Sequence, residues 1–310
     1  PKSDNLIRVS MRRGLPLIIP GQLRLEIERR DQNIIKLTLT ILSIFRAIPA
    51  YPKLKLETIT QPFTGLCETL PEVSKVVPRL KELVPEKAFD YFKQTKESFL
   101  VVNRNLLRLT SAGPNARNQI LGYPIDALAL KERPDLLKCF ELFARNTNHI
   151  GLWKQLQDEM KFWDRPDDTL LLDSKELGKV TIGGLKSSWQ FNQEGSKLKA
   201  GKLSLKKEAA GKVRVFAIVD AWSQSLLKPL HKSLFGILSQ IPQDGTFNQL
   251  KPVRALMENK SLVKFYSFDL SAATDRLPIA LQTDILSILF NSRDTAEAWR
   301  DLLLKRDYYL

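Results

Sequence analysis

The sequence predicts a mixed fold of the α/β class in its α+β form, with a helical N-terminal part followed by a β-hairpin and the start of a sheet. Three observations predict it. From Leu23 to about Leu156, apolar residues recur at three- and four-residue spacing, the period of helices with one covered face. From about Pro166 the segments shorten and glycine-rich connections separate them. Between Lys202 and Val219, two runs have the composition of strands and a short turn lies between them. At 310 residues and 43% hydrophobic content the chain can bury a sizeable core, and its length suits two domains.

In the first part the spacing predicts helices at Leu23–Ile27, Asn33–Ile48, Glu86–Leu109 and Leu136–Met160. Prolines at 49, 52, 62, 71, 78, 85, 114, 124 and 134 mark their ends and the turns between them. The most apolar stretch is Asn33–Ile48. It is shorter than the roughly 20 residues that cross a membrane, and it carries Lys36 and Arg46, so a buried amphipathic helix is expected and no transmembrane segment. Past Pro166, TIGGLKSS (181–188), GSKLKAGK (195–202) and AAGK (209–212) read as connections. KLSLKK (202–207) and VRVFAIV (213–219) read as the strands of a basic hairpin, with Glu208 to Gly211 as its turn. A helix from about Trp222 to Gln240, the turn PQDGT (242–246), a helix near Pro252–Glu258 and a strand VKFYSFDL (263–270) follow. A final helix runs from about Pro278 to Phe290, with Leu277, Leu281, Ile285 and Leu289 on one stripe.

Lys and Arg outnumber Asp and Glu by 48 to 34, for a net charge of +14, so a polyanion, nucleic acid first of all, is the expected partner. Cys67 and Cys139 form no CxxC pattern, which argues against a disulfide framework or a zinc site and suits a reducing compartment. His149 and His231 are too isolated for a metal site or a catalytic triad, and are expected to be structural or solvent-facing. The chain begins at Pro1 rather than Met, so the native start is expected upstream and a targeting peptide is not legible.

Two segments carry chemistry. In LVKFYSFDLSAATDR (262–276), a strand ending in Asp269 would project a carboxylate from a sheet edge, the hard oxygen donor that Mg²⁺ takes. Asp275 follows six positions later, and Ser271, Ala272 and Ala273 keep the intervening turn small. Alternatively, Asp269 ends a strand and Asp275 caps the next helix, with Pro278 in its first turn. In KLSLKKEAAGKVRVFAIVD (202–220), Lys202, Lys206, Lys207, Lys212 and Arg214 lie on or beside one hairpin. A two-stranded platform bearing Lys and Arg suits triphosphate binding. A solvated basic face is the alternative, and Arg214 speaks against it, because within an apolar strand it loses solvation unless an anion pairs with it.

In this order and at this separation, GKVRVFAIVDAWSQSLLKPLH (211–231), IPQDGTFNQ (241–249) and FDLSAATDR (268–276) resemble the RNA-directed RNA polymerases of mitoviruses, with narnaviruses and leviviruses as more distant relatives. The resemblance extends more weakly to LSIFRAIP (42–49) and TITQPF (58–63). It implies a right-hand polymerase fragment: a mostly helical N-terminal region (1–165), a fingers region with the motif F hairpin (166–261) and an incomplete palm with motif A (262–310). Lys207 and Arg214, with Lys212 beside them, would grip ribonucleoside triphosphates. Asp269 would bind catalytic Mg²⁺, or Mn²⁺, and Asp275 would help recognise the ribose 2′-hydroxyl. Gln243 to Asn248 would lie near the template. RNA template and product are the implied partners and the mitochondrion is the implied location, with the cytoplasm as the alternative.

The family completes its two-metal site with a Ser-Gly segment and a Gly-Asp-Asp turn, and the sequence has neither. The chain alone is therefore expected to be inactive, with a missing C-terminal part or a second chain supplying those motifs. Asp167–Asp168 reads as a helix cap or turn, and Asp284, Asp294, Glu297, Asp301 and Asp307 as solvated. A non-catalytic RNA-binding module or an endogenised viral relic is an alternative reading, and a reverse transcriptase or maturase a further one. The last usually has an aromatic residue where this chain has Thr274.

Overall fold

The computed structural model describes residues 9–48, 51, 53–65, 68–79, 82, 113–115, 122–175, 178–190, 198–259, 261, 264, 266–268, 270 and 273–310. Among them the fold mixes α-helices with two-stranded antiparallel sheets, as α+β predicts. The predicted helix Glu86–Leu109 and Cys67 lie outside the described residues, as do positions 263, 265 and 269 of the predicted strand 263–270; the other five residues of that segment form no strand, contrary to expectation. No described helix is long and apolar enough to cross a membrane. The chain divides into two units, residues 1–56 with 205–215, and residues 57–204 with 216–310.

In the first unit, β1 (Met11–Arg12) and β2 (Leu15–Pro16) pair antiparallel across a turn whose Arg13 and Gly14 both have positive φ. After α1 (Gly21–Glu28), Asp31 starts α2 (Gln32–Ser43) by accepting the backbone N–H groups of Asn33 and Ile34 at 2.8 and 3.0 Å. The two helices pack on each other, and a 3₁₀ turn, Ile44–Arg46, continues the second. Burial of this helix is the expectation the structure overturns. Only Thr38 of α2 is buried, and Leu37, Leu39, Ile41, Leu42 and Ile44 beyond it are exposed. Apolar residues surround most of the α2 circumference, and among the described residues α1 is the main helix packed on it, which leaves other faces open.

The second unit begins with α3 (Glu57–Thr60) and α4 (Pro71–Val76), then continues through α5 (Gly122–Lys131), α6 (Pro134–Asn146) and α7 (Ile150–Trp163). Leu136–Met160, predicted as one helix, is two. Asn148 adopts φ +63 between them, and the Thr147 hydroxyl donates to the Phe143 carbonyl at 2.7 Å. The apolar spacing runs on into both helices, so Phe140, Phe143, Leu152 and Leu156 all reach one core and the break leaves no trace in periodicity.

Strands β3 (Leu170–Ser174) and β4 (Gly178–Thr181) form a second antiparallel pair. TIGGLKSS is not a connection: Thr181 ends β4 and the rest belongs to α8 (Ile182–Gln190). The Thr181 hydroxyl accepts from Gly184 N–H at 3.1 Å, and fully buried Ile182 anchors the first turn. Gly183 serves close packing, since a Cβ there would stand 2.7 Å from that of Asp167. The basic hairpin forms as predicted from β5 (Gly201–Lys207) and β6 (Val213–Val219). The helix after it, α9 (Ala221–Leu238), also forms, as does α10 (Leu250–Glu258).

Three helices close the chain, α11 (Ala273–Arg276), α12 (Ile279–Phe290) and α13 (Arg293–Leu304). The last of them lies beyond the helix expected to be final. Asn291 takes left-handed backbone and Ser292 caps α13 through Thr295 N–H at 3.2 Å, turning the chain so that α12 and α13 pack together. The predicted stripe of α12 is also displaced. Thr283 and Leu286 are its buried residues, because an apolar segment this dense offers several equivalent faces and packing with α13 selects one. Ala296, Ala298 and Leu302 of α13 join Trp222 and Leu226 of α9 in the core formed by α5, α6 and α7.

Candidate functional site

A buried polar cluster holds the base of the basic hairpin. Fully buried Asp220 follows the second strand, where one oxygen caps α9 by accepting Ser223 N–H at 2.7 Å. Its other oxygen accepts from Arg306 at 2.7 Å. The same guanidinium donates to the carbonyls of Ala200 and Leu302 at 2.7 and 2.8 Å and to the Ser223 hydroxyl at 3.0 Å. Ala200 precedes the first strand and Asp220 follows the second, so Arg306 ties the two ends together. Asp126 joins by accepting Ala221 N–H at 2.8 Å and Asn115 Nδ2–H at 2.9 Å. Burial foremost, then the Asp220 charge, pushes the Asp126 carboxyl up to about 7.

The C-terminal segment adds a further tie. Leu203 N–H donates to the Tyr309 carbonyl at 2.7 Å, and Lys202 and Tyr309 form a parallel bridge. Gly201 permits this approach, since a Cβ there would meet the Asp307 carbonyl at 2.8 Å and the Tyr308 ring at 2.9 Å. Nothing in LLLKRDYYL marks Arg306 as buried, so sequence reasoning missed this cluster. The one legible signal is Asp220 at the junction of a strand and a helix, the position of an N-cap.

At the hairpin tip, Ala210 and Gly211 have φ of +60 and +71, and Glu208 N–H donates to the Lys212 carbonyl at 2.7 Å. Lys207, Lys212 and Arg214 flank this turn, and all three are exposed. Arg214 is a correction to the expectation of lost solvation. Its side chain is 59% exposed, because the outer face of this strand is open, and its anion is Glu208 at 2.7 Å. The tip is thus a cationic surface on which one carboxylate competes for the guanidinium. A segment from the start of the chain lies against it, with Lys53 N–H donating to the Gly211 carbonyl at 3.0 Å and Lys53 paired with Lys212 in a parallel bridge.

Asp269 lies outside the described residues. Asp275, in the second unit, is exposed on α11 and accepts the Thr58 hydroxyl at 2.7 Å. Arg276 beside it donates to the carbonyls of Glu57, Gln61 and Pro62 at 2.9, 3.2 and 3.4 Å. TITQPF and FDLSAATDR therefore meet through these residues. The alternative of Asp275 as a cap of the next helix does not hold, because Pro278 occupies that position without a side-chain cap. Among the described residues there is no group of three or more His, Cys, Asp or Glu that could hold a metal ion.

Asp167 sits in a turn as expected and pairs with Lys186 at 2.8 Å. Asp284 and Asp301 correct the expectation of solvated carboxylates. The first is half-buried between Thr69 and Arg293, which α13 brings to it by packing on α12, and the second lies between Arg300 and Lys305, its neighbours along α13. Opposed by burial, the hydrogen bonds from these partners hold both carboxyls below their usual range. His149 is structural: buried, with Nδ1 at 2.7 Å from the Thr147 hydroxyl, it is pushed down by desolvation to about 4.

Residues 93–310 match the family model described as mitovirus RNA-dependent RNA polymerase. Over 287 residues the chain is 32% identical to the RNA-directed RNA polymerase of Cryphonectria parasitica mitovirus 1, an alignment that covers 88% of this chain and 32% of that polymerase. Two uncharacterized mitochondrial proteins of Arabidopsis thaliana are also similar, one 44% identical over 54 residues and the other 40% over 52. Each alignment covers 17% of this chain, and 21% and 24% of those proteins. The chain spans about a third or less of the length of these relatives. No solved structure matches. With the family model extending over residues 93–310, well above half of the sequence, the chain belongs to the mitovirus RNA-dependent RNA polymerase family.

Proposed function

We propose that this chain supplies the N-terminal region (1–165), the fingers (166–261) and the first part of the palm (262–310) of a right-hand polymerase that copies RNA from an RNA template. The reaction is nucleotidyl transfer: a 3′-hydroxyl attacks the α-phosphorus of a ribonucleoside triphosphate and pyrophosphate leaves. One observation carries the reading. In a member of this family, Lys207, Lys212 and Arg214 stand exposed together on a hairpin whose two ends are fastened by Arg306 and Asp220. A platform of cationic side chains neutralises phosphate charge, which is much of what phosphoryl-group chemistry asks of a protein.

In this reading Lys207, Lys212 and Arg214 hold the triphosphate, Asp269 is a ligand of Mg²⁺ or Mn²⁺, and Asp275 discriminates the ribose 2′-hydroxyl. A bound divalent ion would supply charge neutralisation at the reacting phosphate. The remaining acidic ligands would come from a further part of the polymerase or from a second chain. RNA template and product are its partners, and the mitochondrion its location. Two tests apply. The chain alone binds MgATP, and Lys207→Ala and Lys212→Ala each weaken that binding; equal affinity in both variants would remove the hairpin from the argument. When the missing motifs are supplied, RNA extension with Mg²⁺ is expected to be lost in Asp269→Asn, and full activity there would remove motif A.

The resemblance to two Arabidopsis mitochondrial proteins favours a second reading, a retained viral sequence that binds RNA without synthesis. RNA binding with a steep salt dependence, unchanged by Asp269→Asn and with no extension in the completed assembly, would select it.

A further inference from the structure

We propose that Lys53 is part of the phosphate grip, its ammonium and that of Lys212 forming one binding position for linked phosphates. This rests on the reading of the hairpin as a triphosphate holder, and extends it to a segment of the chain far from motif F in sequence. Lys53 is placed by its backbone: its N–H donates to the Gly211 carbonyl at 3.0 Å, and it faces Lys212 in a parallel bridge. The bridge sets the two residues side by side on neighbouring segments of backbone. Both lysines are exposed, and among the described residues no ion pair reaches either ammonium.

Glu208, the acid at the tip among the described residues, is engaged by Arg214 at 2.7 Å. Two like charges in opposed positions weaken a strand pairing, and an anion lying between them reverses that effect. Phosphate suits the geometry, since lysine acts as a compact point charge and needs no planar match to its ligand. The ligand class is a chain of linked phosphates, found in a nucleoside triphosphate and in the RNA backbone alike.

The test uses the full chain with Lys53→Gln, Lys212→Gln and the double variant, each titrated with MgATP and with a short single-stranded RNA. Glutamine retains the backbone N–H that docks the segment. Each single variant is expected to bind more weakly by about three- to tenfold and to lower the salt slope by about one, as loss of a single phosphate contact does. The double variant should lose less than the product of the two, because one anion is shared. Ligand-free Lys53→Gln should melt no lower than the parent, since the opposed charge is gone. A loss confined to MgATP assigns the position to the triphosphate, and a loss confined to RNA assigns it to the backbone. Unchanged affinity for both probes in Lys53→Gln, with weakened binding in Lys212→Gln, overturns the role of Lys53 and leaves the hairpin reading intact. Unchanged affinity in all three variants overturns both.

Discussion

Arg306 and Asp220 form an ion pair at 2.7 Å in which neither side chain is exposed to solvent. A buried pair of this kind need not be more stabilising than two apolar residues, but removing one partner leaves an uncompensated charge. Here that charge would sit at the foot of the basic hairpin. Arg306→Met is expected to destabilise the chain by about 3–5 kcal/mol in urea denaturation, and Arg306→Met with Asp220→Leu to recover much of the loss. A cost below about 1 kcal/mol for the single variant would show that the pair does not hold the hairpin ends.

Asp126 gives the stability a pH dependence of known sign. Its carboxyl is raised from 3.8 to about 7 in the folded protein, by burial first and the Asp220 charge second. Between those values the folded chain keeps a proton that the unfolded chain releases, so this group makes stability fall as pH rises from about 4 through about 7. His149, lowered from 6.5 to about 4 by burial, acts in the opposite sense over most of that range, favouring the folded state as pH rises toward 6.5. The contribution of Asp126 is therefore read as a difference. The stability of Asp126→Asn relative to the parent should climb between pH 4 and 7 and level off above, and a flat difference would refute the shift.

Glu208 competes with phosphate for Arg214. The pair is largely exposed on the arginine side, so breaking it should cost well under about 1 kcal/mol of stability. Glu208→Gln removes the competing charge, and MgATP binding by the chain is expected to tighten severalfold. Weaker binding in that variant would mean that Glu208 orients Arg214 instead of occupying it.

Arg276 joins α11 to the segment at 57–62 through three backbone carbonyls. Arg276→Ala should cost about 1 kcal/mol and speed amide exchange in α3, where the Gln61 N–H bonds back to the Glu57 carbonyl at 3.0 Å. Unaltered exchange there would show that the three contacts carry no stability.

The sequence by itself determined the α+β class, the two hairpin strands, the helix after them and the polymerase family. These rest on local preference: β-branched residues in VRVFAIV, a turn at AAGK, apolar spacing from Trp222 onward, and motifs contiguous in the chain. Tertiary structure decided what depends on which distant segments meet. The break at Asn148 is invisible to periodicity, because both helices feed one core. Among the described residues α2 packs mainly on α1, which leaves its other faces exposed, and α13 takes Arg306 from a charged tail into a buried cluster beside Asp220. Lys207, Lys212 and Arg214 could be read from the chain because a hairpin is a local structure. Lys53 could not, since a bridge to a segment far away in the sequence is chosen by backbone hydrogen bonding, which leaves no mark on composition.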